Sequence, residues 1–207
     1  MVDLEAARER LGGVHQPLID AHAAAAQAWE TFVTERPELA KPCGTTTQKN
    51  FIHNHICAEV SKRVDGAAGV ELTECLDFVS LKVGSEILLR FKAVDHGGPR
   101  NVATRQQRLL ARQEFTEGMT LALTGDPALT PPTLLTCGYA LDGPKIGRIE
   151  IRRDCKGHLP WAYDIFGGNA VNQPIVLKGL EDTAKPATVR TTTKPEEDTG
   201  NRSAESA

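Results

Sequence analysis

Large apolar side chains stop abruptly near the end of this chain. The 25 residues from Thr183 to Ala207 contain no Leu, Ile, Met, Phe, Tyr or Trp, and they carry four basic and four acidic groups. Such a segment buries too little apolar surface to offset the entropy of ordering, so disorder is predicted over 181–207. Eight of the ten aromatic residues lie between Phe51 and Phe166, and the other two are Trp29 and Phe32. A packed core domain is therefore expected over residues 46–180, preceded by an arm over 1–45.

The arm reads as helix. Leu4, Ala7, Leu11, Val14, Leu18, Ala21, Ala25, Ala28 and Phe32 recur at spacings of three and four, which aligns them on one face. Gly12-Gly13 and Pro17 interrupt the stripe. The reading is a short helix to about Leu11, a break, and a second helix from Pro17, well placed at a first turn, to about Arg36. Residues 1–40 hold seven acids and three bases, so the arm is acidic. Its stripe either packs onto the core domain or forms a surface for a partner protein or a second copy, with Leu11, Leu18, Trp29 and Phe32 as contact residues.

Within the core domain, Thr45 and Gln48 have capping-box spacing ahead of a helix that ends at Asp65-Gly66. Leu76–Lys82 and Glu86–Val94 read as a hairpin turning at Val83-Gly84-Ser85. In the second strand Ile87, Leu89 and Phe91 alternate with Leu88, Arg90 and Lys92, so the odd positions are expected inside and the charged ones outside. Thr104 and Gln107 mark another capped helix start, and the proline-rich stretch from Gly125 to Pro132 reads as loop. Thr133–Leu141, Ile146–Arg152 and Leu159–Phe166 read as three closing strands, with Asp142-Gly143 and Lys156-Gly157 as turns. The expected class is α+β, with a mainly antiparallel sheet of about five strands and packed helices.

Composition narrows the function. The net charge of −3 excludes a histone-like polycation, and no apolar run approaches the ~18 residues of a membrane span. The first residues lack the pattern of a secretory signal, and the five cysteines include no Cys-x-x-Cys pair. Reduced thiols in a cytoplasmic protein are expected. Phosphate-loop, dinucleotide-binding and serine-hydrolase elbow motifs do not occur.

Three groups of side chains remain as candidates. The first is basic: Arg90, Lys92, Arg105, Arg108 and Arg112, joined by Arg148 and Arg152 if the two regions are neighbours in the sheet. Arg105, Arg108 and Arg112 follow helical spacing, and guanidinium forks suit phosphate. The second is acidic: Glu59, Glu74, Asp77 and Asp95, with Lys92 nearby, are the parts of a magnesium-dependent nuclease. The Glu-x-Lys or Asp-x-Lys strand doublet of such enzymes is absent, because Arg90 stands two before Lys92. The third is Phe51-Ile52-His53-Asn54-His55-Ile56-Cys57. There His53 and Cys57, or His55 and Glu59, lie one helical turn apart, but a four-ligand site cannot be written, so no metal or other cofactor is assigned.

The segments Leu89-Arg90-Phe91-Lys92-Ala93-Val94-Asp95, Asn101-Val102-Ala103-Thr104-Arg105-Gln106-Gln107, Gly138-Tyr139-Ala140-Leu141-Asp142 and Trp161-Ala162-Tyr163 resemble those of a family of small bacterial and phage proteins. Members are often encoded beside a helix-turn-helix or ImmA/IrrE-type metallopeptidase protein. The resemblance spans about 75 to 166 and implies the toxin-like component of a toxin–antitoxin or defence pair. It implies no catalytic residue. Lys92, Asp95, Thr104, Gln106 and Gln107 are the polar motif residues expected to face solvent. The leading expectation is a component acting through a protein partner, with contact to nucleic acid or nucleotide. The alternatives are a metal-dependent nuclease or other phosphate-acting enzyme, and a non-catalytic adaptor.

Overall fold

The computed structural model describes residues 2–76, 78–95, 98–99, 104–143, 145–155, 158–166, 170–171 and 175–176. The expected tail over 181–207 and Asp77 lie outside these. The helices are α1 (Leu4–Glu35), α2 (Pro37–Ala40), α3 (Thr45–Val64), α4 (Arg105–Arg112) and α5 (Glu117–Thr124). The longer strands are β1 (Val70–Cys75), β2 (Phe78–Val83), β3 (Ile87–Asp95), β5 (Thr133–Asp142), β6 (Lys145–Cys155) and β7 (His158–Asp164). Three two-residue strands complete the sheet: β4 (Gly98–Pro99), β8 (Ala170–Val171) and β9 (Ile175–Val176).

The class is α+β, and the sheet is mixed rather than simply antiparallel. Its order is β1-β2-β3-β5-β6-β7-β8, with β4 on β3 and β9 on β7. The β3–β5 pair is parallel, running from Ile87 opposite Thr133 to Ala93 opposite Tyr139. A parallel pair requires a crossover, and α4 and α5 supply it. The eight-residue α5 carries Thr and Gly among its apolar residues, which obscures its helical period in the sequence. The edge strand β1 also lies beyond the expected hairpin, and it pairs antiparallel with β2 from Val70 opposite Val83 to Cys75 opposite Phe78.

Both faces of the sheet are covered. On one, Ile87, Leu89 and Phe91 of β3 join Leu135, Cys137 and Tyr139 of β5 and Ile149 and Ile151 of β6 in one core with α1 and α3. On the other, Leu88 and Leu134 pack with Leu110 of α4 and Met119 of α5. Helices on the second face explain why an outward-reading position such as Arg90 is buried.

The arm is one continuous helix, not two. Asp3 caps it through Oδ1, which accepts from the Ala6 amide at 2.9 Å. Pro17 sits in its interior, where the missing N–H and the clash with the Gly13 carbonyl cost about 3 kcal/mol. Burial outweighs that cost. Ala7, Leu11, Val14, Leu18, Ala21, Ala25 and Trp29 are all buried, and each large side chain contributes about 1.5–3 kcal/mol. The stripe meets α3, whose Ile52, Ile56 and Val60 are fully covered. At the far end Trp29, Phe32, Phe51 and His55 form an aromatic cluster, with Phe32 stacked on Phe51 at 5.5 Å.

Two local signals have different outcomes. Thr104 caps α4 as expected, its hydroxyl accepting from the Gln107 amide at 3.2 Å. The Thr45/Gln48 box does not form. Gly44 is the N-cap of α3, and the Gln48 side chain instead donates to the Gly143 carbonyl at 3.1 Å, bracing α3 on the β5–β6 turn.

Candidate nucleic-acid interface

Strand alternation sets Leu88, Arg90, Lys92 and Val94 of β3 on the α4 face. The register then builds two polar rows across that face. One runs Ser80, Arg90, Thr136, Arg152, Ala162, and the next runs Lys92, Gly138, Glu150, Asp164. Gly138 belongs there because a Cβ would lie 2.6 Å from Val94 Cγ1 and 3.3 Å from Glu150 Cγ.

Arg152 is the hub of a buried ion network. Its Nη1 donates to Glu150 Oε1 at 3.0 Å, and its Nε and Nη2 donate to Asp154 Oδ1 at 3.1 and 2.8 Å. Arg148, more exposed, places Nε 3.3 Å from the second Glu150 oxygen. Asp154 Oδ2 is buried and has no hydrogen-bond partner among the described residues. Arg90, only 1% exposed, donates from Nε to Thr136 Oγ1 at 3.1 Å and from Nη1 to Gln107 Oε1 at 3.4 Å. Both acceptors are neutral. Burial pushes the Arg90 guanidinium down to about 10; Asp154 opposes that shift and Arg152 adds to it. Lys92, half-buried, is also lowered, first by burial and then by the charge of Arg90.

Above this face stands α4. Its sequence, RQQRLLAR, holds three arginines and no acid. Arg105 is exposed, and Arg108 and Arg112 are half-buried. Gln113, in the left-handed conformation, ends the helix and locks it to the sheet. Its side-chain oxygen accepts from the Leu134 amide at 3.0 Å, and its amide donates to the carbonyls of Leu134 and Asp154. Beyond the Lys92 row, Val94, Ala140 and Arg148 line a cleft of about 830 Å³, with Lys49 on its α3 side.

The basic candidates thus occupy one face, though unequally. Arg90 and Arg152 are interior, while Arg105, Arg108, Arg148 and Lys92 retain exposure. The acids are dispersed. Glu59 pairs locally with Lys62 at 2.7 Å and with Arg63, and the hydrogen bonds from Lys62 first and Arg63 second bring its carboxyl down to about 2. α3 and Lys92 lie on opposite faces of the sheet. Glu74 is exposed on the edge strand β1, and the Asp95 side chain lies outside the described residues. Among the described residues no group of three or more His, Cys, Asp or Glu side chains is arranged to hold a metal ion. His53 Nε2 lies 3.8 Å from Cys57 Sγ, and burial raises that thiol to about 11.

Of the arm residues, Leu11 and Leu18 are fully buried, Trp29 nearly so and Phe32 partly. No helix among the described residues is long and apolar enough to cross a membrane. Sequence reasoning missed Thr136, Glu150, Asp154 and Gln113. The charge alternation in Arg148-Ile149-Glu150-Ile151-Arg152 was the available signal, but the helices that cover its charged face were not readable from it. No family model, curated protein or solved structure matches the chain.

Proposed function

We propose that this chain is a nucleic-acid-contacting component of a bacterial or phage toxin–antitoxin or defence pair, acting together with a partner protein. One observation carries the nucleic-acid part. An acid-free helix with three arginines lies over a sheet face that itself projects Arg90, Lys92 and Arg148. Arginines on one helical face meet successive phosphates, and the hydrogen bonds of Gln107 to Arg90 and of Gln113 to Leu134 and the Asp154 carbonyl hold α4 against the sheet. The partner contact belongs to the distal end of the arm, where Phe32 is partly covered and Val33 and Leu39 are exposed. The pair membership rests on the resemblance of the β3, α4, β5 and β7 segments to the bacterial and phage family.

Two experiments test the parts. Fluorescence anisotropy with a labelled duplex at about 50 mM salt should show binding that Arg105→Ala/Arg108→Ala/Arg112→Ala weakens several-fold. Failure of the native chain to bind would remove the nucleic-acid reading. Expression in a bacterial host with and without the adjacent gene should give growth arrest only when that gene is missing. Equal growth in both would remove the toxin–antitoxin reading.

A further inference from the structure

We infer that the cavity between the β1–β2 edge and α5 binds a zwitterion on an apolar body, as in an apolar amino acid or a short peptide with free ends. The inference goes beyond the nucleic-acid reading and uses none of its arginines.

The site starts from one row of side chains. Glu71 of β1 stands opposite Lys82 of β2, and Lys82 opposite Leu88 of β3, so all three share the α5 face of the sheet. The row runs from an exposed acid through a half-buried base to a buried leucine. All three line a cavity of about 810 Å³, within the size range of small-ligand sites. Its other walls are α5, residues 129–133 and the start of α1.

The charges in this lining are unevenly used. Arg10 and Glu86 form an ion pair and neutralise each other. Opposite charges facing each other on neighbouring strands ordinarily pair as well, because their Cβ atoms are only about 4.5–5.5 Å apart. Glu71 and Lys82 form no ion pair, and neither side chain has a hydrogen-bond partner among the described residues. The cavity therefore offers one free carboxylate and one free ammonium side by side at the sheet edge. Its inner end is apolar, with Leu88 on the floor and Leu123 of α5 above, and Leu129, 54% exposed, leaves apolar surface to cover.

This arrangement selects the ligand. An anion alone would meet Lys82 beside the Glu71 carboxylate, and a cation alone would meet Glu71 beside Lys82, so each gains one attraction and one repulsion. A molecule carrying both charges pairs with both residues. An α-amino acid holds its ammonium and carboxylate on one carbon, and an apolar side chain then lies along the row toward Leu88. Two sources supply that chemistry: a free amino acid and the ends of a short peptide.

The test is a titration of the full chain followed by its backbone amide NMR shifts. L-leucine and leucyl-leucine should each shift amides of β1, β2 and α5 saturably. N-acetyl-leucine lacks the ammonium and leucinamide lacks the carboxylate, and each should bind at least about tenfold more weakly than leucine, the size of a lost charge-assisted hydrogen bond. In Lys82→Gln leucine should lose its advantage over leucinamide, and in Glu71→Gln its advantage over N-acetyl-leucine. Neither side chain is buried, so both variants should fold. Tighter binding of leucine than of leucyl-leucine assigns the site to free amino acids, and the reverse order assigns it to peptide ends. No saturable shift with either ligand, blocked ligands that bind as tightly as leucine, or unchanged preferences in both variants overturn the proposal.

Discussion

Acidification should destabilise this protein chiefly through one side chain, His22. It projects from α1 into the main core and is fully buried. Its Nδ1–H donates to the Leu18 carbonyl at 2.7 Å, which leaves Nε2 as the basic atom, 3.9 Å from Cys137 Sγ and flanked by the rings of Phe91 and Tyr139. A proton on Nε2 is a cation in an apolar pocket, so burial brings His22 down from 6.5 to about 4. The Leu18 hydrogen bond opposes this, and His53 adds slightly to it. The folded state therefore resists a proton that the unfolded state accepts. The contribution is complete above about pH 6.5 and is lost as pH falls toward about 4. The slope is about 1.4 kcal/mol per pH unit, so about 3 kcal/mol disappears across the window. Denaturant midpoints from pH 7.5 to 4.5 measure it in the native chain and in His22→Phe, which keeps a ring but cannot titrate. Burial lowers His53 and His15 in the same direction, and they supply the residual slope of the variant. Identical slopes in both proteins would refute the reasoning.

Two substitutions of glycine should act in opposite directions. Gly138→Ala drives a Cβ onto Val94 and should cost about 1–3 kcal/mol, whereas Gly12→Ala and Gly13→Ala meet nothing within 4 Å in the long helix and should each add about 0.5–1 kcal/mol, all read from urea midpoints. Leu18→Ala, at a fully covered site, should cost about 2–5 kcal/mol by the same assay. Phe32→Ser with Leu39→Ser should leave the fold intact while reducing any assembled species in light scattering; an unchanged mass would move the partner contact away from the arm's distal end.

The legible parts of the fold are those governed by short-range periodicity. Alternation in β3 identified Ile87, Leu89 and Phe91 as core, and the three-and-four spacing in α1 identified its buried stripe. The Thr104 cap was equally local. Long-range packing decided the rest. Gly12-Gly13 and Pro17 read as a break, yet burial of the flanking Leu11, Val14 and Leu18 carries the helix through them. Arg90 read as solvent-facing because one strand cannot reveal that helices cover its second face. The basic candidates were visible as residues, but their rows exist only through the parallel β3–β5 register, which the crossover creates.

The central claim is that α4 meets phosphates over this sheet face. The most direct measurement is the dependence of duplex affinity on salt, plotted logarithmically, for the native chain and for Arg105→Ala/Arg108→Ala/Arg112→Ala. Each lost phosphate contact should make the slope shallower by about 0.9, so the variant should be shallower by about 2.7. A variant slope equal to the native one would contradict the claim, because the arginines of α4 would then be touching no phosphate.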